Sequence, residues 1–283
     1  MSPRRRGSAS TPAWTAAARS LRRRRSVVLC YHGVGASTLR LDPHFLRVPQ
    51  ERFREQVQLL VHAGFEFVTV ARLAEQLRDG RSPPGLAALT FDDGMEDNHA
   101  VVLPMLVEWG IPASVYVRTD VIGKPNPALA PESGARMLTE SQISDLASAG
   151  VEIGAHTVHH PDLSQLNLDD CLREMSESKQ TLERITGSPV QTLAYPYCRY
   201  GRAALAAAPL AGFKAAVTCQ GRGGWAPYEI KRALITGKDG MPSFLLKLAD
   251  AYQPAFESVP VRVLRRATRA PRGWIRLRLQ SRA

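Results

Sequence analysis

The stretch "LAALTFDDG", residues 86–94, governs how the rest of the chain is read. A nearly unbroken apolar run, 86–91, has the length and character of a strand buried on both faces. It ends abruptly at two adjacent aspartates and a glycine. Neighbouring carboxylates repel, so a site that keeps both ionised needs a cation or strong hydrogen-bond donors beside it. A buried parallel strand that ends in charge predicts a functional rim at its C-terminal end.

The same grammar extends in both directions. Short runs at 27–31 (VVLCY), 65–70 (FEFVTV), 113–118 (ASVYVR), 151–155 (VEIGA), 192–196 (TLAYP), 215–218 (AAVT) and 229–235 (EIKRALI) read as further strands. Segments with helical spacing separate them: 52–64, with Phe53, Val57, Leu60 and Val61 on one face before Gly64, then 98–110, 139–150, 168–187 and an Ala-rich piece that ends at Gly212. Strands alternating with helices predict a parallel sheet covered by helices, and seven or eight such units favour a closed barrel. The stretch 119–138 carries Pro, Gly and Asn without periodicity and is expected to be a long loop beside the rim.

The net charge of +11 resembles a nucleic-acid signal until it is located. Residues 1–26 and 261–283 each hold eight Arg and no acid, leaving 21 basic against 26 acidic residues between them. The expected organisation is therefore a basic disordered tail over 1–26, a catalytic domain over 27–250 and a basic tail over 251–283. Arg-rich ends of this kind are solvated or adhere to anionic surfaces. In "PRGWIRLRLQSRA", Arg alternates with Trp274, Ile275, Leu277 and Leu279, which suits an anionic membrane face better than nucleic acid. No apolar run of membrane-spanning length occurs, and the N-terminus lacks a secretion signal's apolar core, so the expected location is cytoplasmic or peripheral to a membrane. Cys30, Cys171, Cys198 and Cys219 show no CxxC pairing, which argues against a zinc ribbon and for buried free thiols.

The polar clusters share one topological position. His32 follows the run VVLCY, Asp92 and Asp93 follow LAALTF, His156 follows VEIGA, and Tyr197 follows TLAYP. In "AHTVHH", residues 155–160, His156 and His160 stand i, i+4, a spacing that places two imidazoles on one face of a helical turn. His159 offers an i, i+3 alternative. One aspartate can complete a set of two nitrogens and one carboxylate with open positions, and its neighbour, pointing the other way along an extended segment, can serve as a general base.

"LTFDDG", "MLTESQISDLASAGVEIGAHTVHH", "LAYPY" and "GFKAAVT", in this order and spacing, resemble the polysaccharide deacetylase family, also called the NodB homology domain or carbohydrate esterase family 4. The resemblance covers roughly residues 27–240. It implies a distorted (β/α)7-8 barrel that removes N-acetyl or O-acetyl groups from sugars with a divalent metal, usually zinc, with cobalt or nickel as alternatives. Carried onto this chain, it makes Asp92 the general base and Asp93, His156 and His160 the metal ligands. A backbone N–H near Tyr197 holds the oxyanion, with Pro196 and Cys198 lining the pocket.

Two departures follow. The Arg that usually precedes the third motif's aromatic is missing, because Leu193 and Ala194 stand before Tyr195; Arg232 is the expected substitute for orienting the base. No His follows His160, so the family's late histidine acid has no counterpart. "VVLCYHGVG" is similar to the opening of the poly-N-acetylglucosamine deacetylase subgroup, which implies His32 as general acid. Cys198 also stands where that subgroup commonly shows Gly. The implied substrate is an N-acetylated amino-sugar polysaccharide or glycan precursor; the alternatives are a carbohydrate O-acetyl esterase and a barrel that binds glycan without turnover.

Overall fold

The computed structural model describes residues 12–36, 38–219 and 223–250. In chain order its elements are α1 (Pro12–Arg22), β1 (Val27–Tyr31), β2 (Gly33–Val34), β3 (Arg47–Val48), α2 (Gln50–Ala63), β4 (Glu66–Phe67), α3 (Val70–Glu75), β5 (Leu86–Phe91), α4 (Leu103–Trp109), β6 (Ala113–Val117), α5 (Glu140–Ser148), β7 (Glu152–Ala155), α6 (Leu168–Thr186), β8 (Thr192–Ala194), α7 (Arg202–Leu210), β9 (Ala215–Cys219), β10 (Ile230–Leu234) and α8 (Met241–Leu248).

Seven strands close into a parallel barrel in the order β1-β10-β9-β8-β7-β6-β5, with β5 pairing back onto β1 from Val27↔Ala87 to Tyr31↔Phe91. This is the expected (β/α) barrel, in its seven-stranded form. The distortion has a local cause. β4 is only two residues long and pairs with Leu86 and Ala87 at the start of β5, whereas β6 pairs with Leu89 to Phe91 at its end. The run 65–70 therefore yields a short strand and the start of α3, because Thr69 caps that helix by accepting a hydrogen bond from the Arg72 N–H.

The barrel strands β1, β5, β6 and β9 are buried at every residue, as expected of parallel strands covered on both faces. Tyr31, Phe53 and Phe91 pack ring against ring between β1, β5 and α2. Helix α5 opens with a full capping box, Thr139 bonding the Gln142 N–H while Gln142 reaches back to the Thr139 N–H. The stretch 119–138 is a long connection with two short 3₁₀ turns, tied to the barrel mouth by the bridge between Met95 and Met137.

Residues 12–26 differ from the expected tail. α1 packs on α2 and α8, with Ala18 fully buried and Trp14 and Leu21 against the core, because its apolar residues recur at helical spacing between the arginines. Ser26 bonds Pro83 and leads directly into β1. The remainder of the Arg-rich ends, residues 1–11 and 251–283, and with it the expected membrane contact, lies outside the described residues. No described helix is long and apolar enough to cross a membrane.

Candidate active site

The barrel brings the polar strand ends together at one rim. Asp92 and Asp93 continue from β5, but simple alternation is not what separates them. Asp93 has φ +72, a left-handed conformation, followed by Gly94 at φ +75. A Cβ on Gly94 would sit 3.1 Å from Val117 Cγ1, so strained backbone and close packing both require glycine there. This turn sends Asp92 into the barrel and Asp93 toward β7.

Asp93 Oδ1 lies 3.4 Å from His156 Nε2 and 3.6 Å from His160 Nε2, and the two Nε2 atoms are 3.2 Å apart. Ligand atoms about 2.0–2.1 Å from a tetrahedral ion are separated by roughly 3.3 Å, so this triangle fits a single ion such as zinc. The His156 Nδ1–H donates to the Ala194 carbonyl at 2.8 Å, which fixes the tautomer and leaves Nε2 with its lone pair toward the triangle. With three protein donors rather than the four of a closed structural site, the set has the character of an open site.

The two histidines do not converge on a helical turn. Residues 156–160 form a loop with Thr157 at φ +64 and His160 at φ +57, closed by the His160 N–H on Thr157 Oγ1. Glu174 on α6 clamps this loop, accepting the Val158 and His159 N–H groups at 3.0 and 2.9 Å and the His159 imidazole at 2.7 Å. His159 is thereby turned outward, its side chain 67% exposed, and does not join the triangle.

Asp92 is held differently. Arg232, in the middle of β10 and with a fully buried side chain, donates from Nη1 to Oδ1 at 2.6 Å and from Nη2 to Oδ2 at 2.7 Å. The Thr90 hydroxyl and the Thr218 carbonyl hold the same guanidinium. Burial by itself pushes the Asp92 carboxyl up, but the charges of Arg232, His156 and His32 outweigh it and keep the pKa below the ordinary carboxylate value. Asp93 is likewise lowered against its burial by the His156 hydrogen bond and the charges of His32, His156 and His160. The histidines diverge: despite its burial, Asp93 and Asp92 raise His156, whereas burial and the neighbouring His156 bring His160 down to about 4.

His32 follows β1 close enough for its charge to act on both carboxylates. Its backbone carbonyl accepts a hydrogen bond from Asn98, at the start of a π-helical turn over Asn98–Val102, and its Nδ1 is buried with no hydrogen-bond partner among the described residues. After β8, residues 195–199 make two successive tight turns, Cys198 N–H to the Tyr195 carbonyl and Arg199 N–H to the Pro196 carbonyl, in which Tyr197 (φ +54) and Cys198 (φ +57) are both left-handed. The Tyr197 ring is exposed and meets His160 edge-on at 4.4 Å. Cys198 is not a free thiol: it forms a disulfide with Cys219 at the end of β9, correcting the expectation of four free cysteines. Cys30 and Cys171 are free and buried.

Sequence reasoning missed Glu174 and the Cys198 to Cys219 pairing. An acid in an otherwise ordinary amphipathic helix gives no pattern that singles it out, and cysteines 21 residues apart carry no pairing signal until the barrel sets β8 and β9 side by side.

Fold and site together define a (β/α)7 barrel whose rim carries three donors that could hold one metal ion and a separately held carboxylate. Residues 79–216 match the family described as Polysaccharide deacetylase. YxkH of Bacillus subtilis, which bears that family's name, is 27% identical over 194 residues, 68% of this chain and 64% of its own length. The poly-beta-1,6-N-acetyl-D-glucosamine N-deacetylase of Staphylococcus aureus is 23% identical over 159 residues, so the chain spans only about half of that relative. Among solved structures, the Streptococcus pyogenes deacetylase PplD in complex with acetate superposes with a TM-score of 0.66 at 25% identity, over 79% of this chain and 98% of that one. IcaB from Ammonifex degensii shares the fold with a TM-score of 0.64 at 23% identity, over 79% and 97%.

Proposed function

We propose that the chain is a divalent-metal-dependent carbohydrate deacetylase that hydrolyses the N-acetyl amide of an amino sugar within a polysaccharide or a glycan precursor. One observation carries this reading: the Asp93, His156 and His160 donor triangle stands beside a second carboxylate, Asp92, that does not belong to it. A purely structural ion site has no need of that second group.

Asp93, His156 and His160 would hold the ion, and two imidazoles with one carboxylate suit zinc, with cobalt or nickel as substitutes. When bound, such an ion polarises the acetyl carbonyl and acidifies water. The chain's own groups do the rest. Asp92 takes the proton from the attacking water; Arg232 keeps its carboxylate ionised and fixed in orientation. The Tyr197 N–H sits in the tight left-handed turn after β8 and donates to the developing oxyanion. Pro196 and Cys198 flank that donor. His32 delivers a proton to the leaving amine nitrogen, a poor leaving group unless protonated.

The test is acetate release from N-acetylglucosamine oligomers. A chelator abolishes release and zinc or cobalt restores it, while Asp92→Asn lowers the rate by roughly 10²–10⁴-fold. Persistent activity in metal-free protein refutes the mechanism. Release only from O-acetylated sugars would make the protein an esterase, and glycan binding without any acetate release would make it a binding barrel.

A further inference from the structure

The Cys198 to Cys219 disulfide lies inside the machinery just described. Cys198 closes the turn that presents the Tyr197 N–H; Cys219 ends β9, with Arg232 Nη2 3.7 Å from its sulfur. The residue before it, Thr218, touches both sides of the site. Its carbonyl accepts from Arg232 Nε at 3.1 Å, and its hydroxyl donates to the Cys198 carbonyl at 3.3 Å.

Two consecutive non-glycine residues in the left-handed region persist only where their surroundings over-determine them. The described restraints on Tyr197 and Cys198 are few. The Cys198 N–H donates to the Tyr195 carbonyl, the Arg199 N–H donates to the Pro196 carbonyl, the Thr218 hydroxyl reaches the Cys198 carbonyl, the Tyr197 ring meets His160 edge-on, and the disulfide supplies the only covalent cross-link among them. Tyr197 and Arg199 on either side are exposed.

We infer that this disulfide is a redox-sensitive lock on the oxyanion turn, so that the deacetylase works at full rate only when Cys198 and Cys219 are oxidised. The inference rests on the deacetylase reading for its kinetic consequence. A dithiol reductant opens the lock in two exchanges. Its first thiolate attacks the half-buried Cys198 sulfur, breaking the S–S bond and releasing Cys219 as a thiolate that takes up a proton. Its second thiolate then displaces Cys198, so that two electrons and two protons pass to the protein and the reductant becomes a cyclic disulfide. Reoxidation by a disulfide-bearing oxidant reverses both steps. The freed turn loses its left-handed geometry and with it the aim of the Tyr197 N–H. The loss falls on kcat more than on KM, because the oxyanion donor acts in the transition state.

The test uses the full chain equilibrated across a series of dithiol to disulfide ratios. Alkylation under denaturing conditions followed by mass spectrometry counts the thiols: two in the oxidised protein, Cys30 and Cys171, and four in the reduced one. Acetate release is expected to fall about 10²-fold as the count rises from two to four, in the range of losing one oxyanion donor. C198S/C219S should stay flat across the series at the reduced wild-type rate, and a fall in that variant would trace the effect to metal chelation and overturn the proposal. An unchanged wild-type rate with four alkylated thiols overturns it as well. Amide hydrogen exchange over residues 195–199 gives a readout that needs neither substrate nor activity. Faster exchange on reduction supports the lock even if no acetate is released, and equal protection in both states refutes it independently of the deacetylase reading.

Discussion

Replacing Arg232 by Met tests the most exposed part of the reasoning, that one buried guanidinium both stabilises the barrel and sets the base. Methionine keeps an unbranched, flexible side chain in the same space while removing the charge and the donors. The wild-type pair is fully desolvated, with Arg232 at 0% and Asp92 at 5% side-chain exposure, so breaking it leaves a buried carboxylate without its counter-charge. Removing one partner of such a pair costs about 3–5 kcal/mol. The Thr218 carbonyl and the Thr90 hydroxyl lose a donor at the same time, which places the expected value at the upper end.

The sign with pH follows from the direction of the Asp92 shift. Its folded pKa is lowered, so the pair's contribution is fully present above the ordinary carboxylate pKa and is lost as pH falls through the folded value. In Arg232→Met, burial acts unopposed by that charge and raises the carboxyl, so the variant gains relative stability as pH falls. Urea midpoints of the two proteins should therefore lie far apart at pH 7.5 and converge toward pH 4. The acid limb of the acetate-release profile should move upward by about 1–3 pH units, the size of shift an adjacent arginine produces on an aspartate. Asp92→Asn/Arg232→Met should cost clearly less than the sum of the single changes, because the double variant buries no unpaired charge. Additive effects, or an acid limb that stays in place, would show that Arg232 is only a packing residue.

Three further outcomes are expected. His32→Gln should lower acetate release from an N-acetyl substrate by roughly 10²–10⁴-fold while sparing an O-aryl acetate, whose leaving group needs no proton; equal losses on both substrates would remove His32 from the acid's role. Glu174→Gln should weaken zinc binding about 10–100-fold in a chromophoric chelator competition, because the loop that places His160 loses its charged clamp; an unchanged zinc affinity would show that the loop holds itself. Burial outweighs the Arg47 ion pair at Asp97 and raises its carboxyl to about 6, so stability is present at low pH and is lost as pH rises from about 4 toward 7. The wild-type urea stability should fall across that window by up to roughly 3 kcal/mol relative to Asp97→Asn, and parallel pH curves for the two proteins would contradict this assignment.

What the sequence disclosed and what it withheld divide along a physical line. Strand ends such as Asp92 and His156 were legible because a buried parallel strand must be apolar throughout, so the first charge after it marks the rim. The chain could not disclose how its donors converge. The i, i+4 spacing of His156 and His160 suggested a helical turn, yet the imidazoles meet because Thr157 and His160 are left-handed, conformations that neither residue type announces. Asp93 escapes β5 through the same device. Of the eight non-glycine residues with positive φ among the described residues, five (Asp93, Thr157, His160, Tyr197 and Cys198) lie in the turns after β5, β7 and β8, which concentrates backbone strain at the candidate site. Such strain needs anchors with fixed positions in space, and here these are Gly94 against Val117, Glu174 on the 156–160 loop, and Cys219 on Cys198. Two of the three are far in sequence from the residues they hold, so no local pattern could expose them. A chain that kept every catalytic side chain but lost these anchors would look unchanged as a motif and would still fail to aim its donors at a common point.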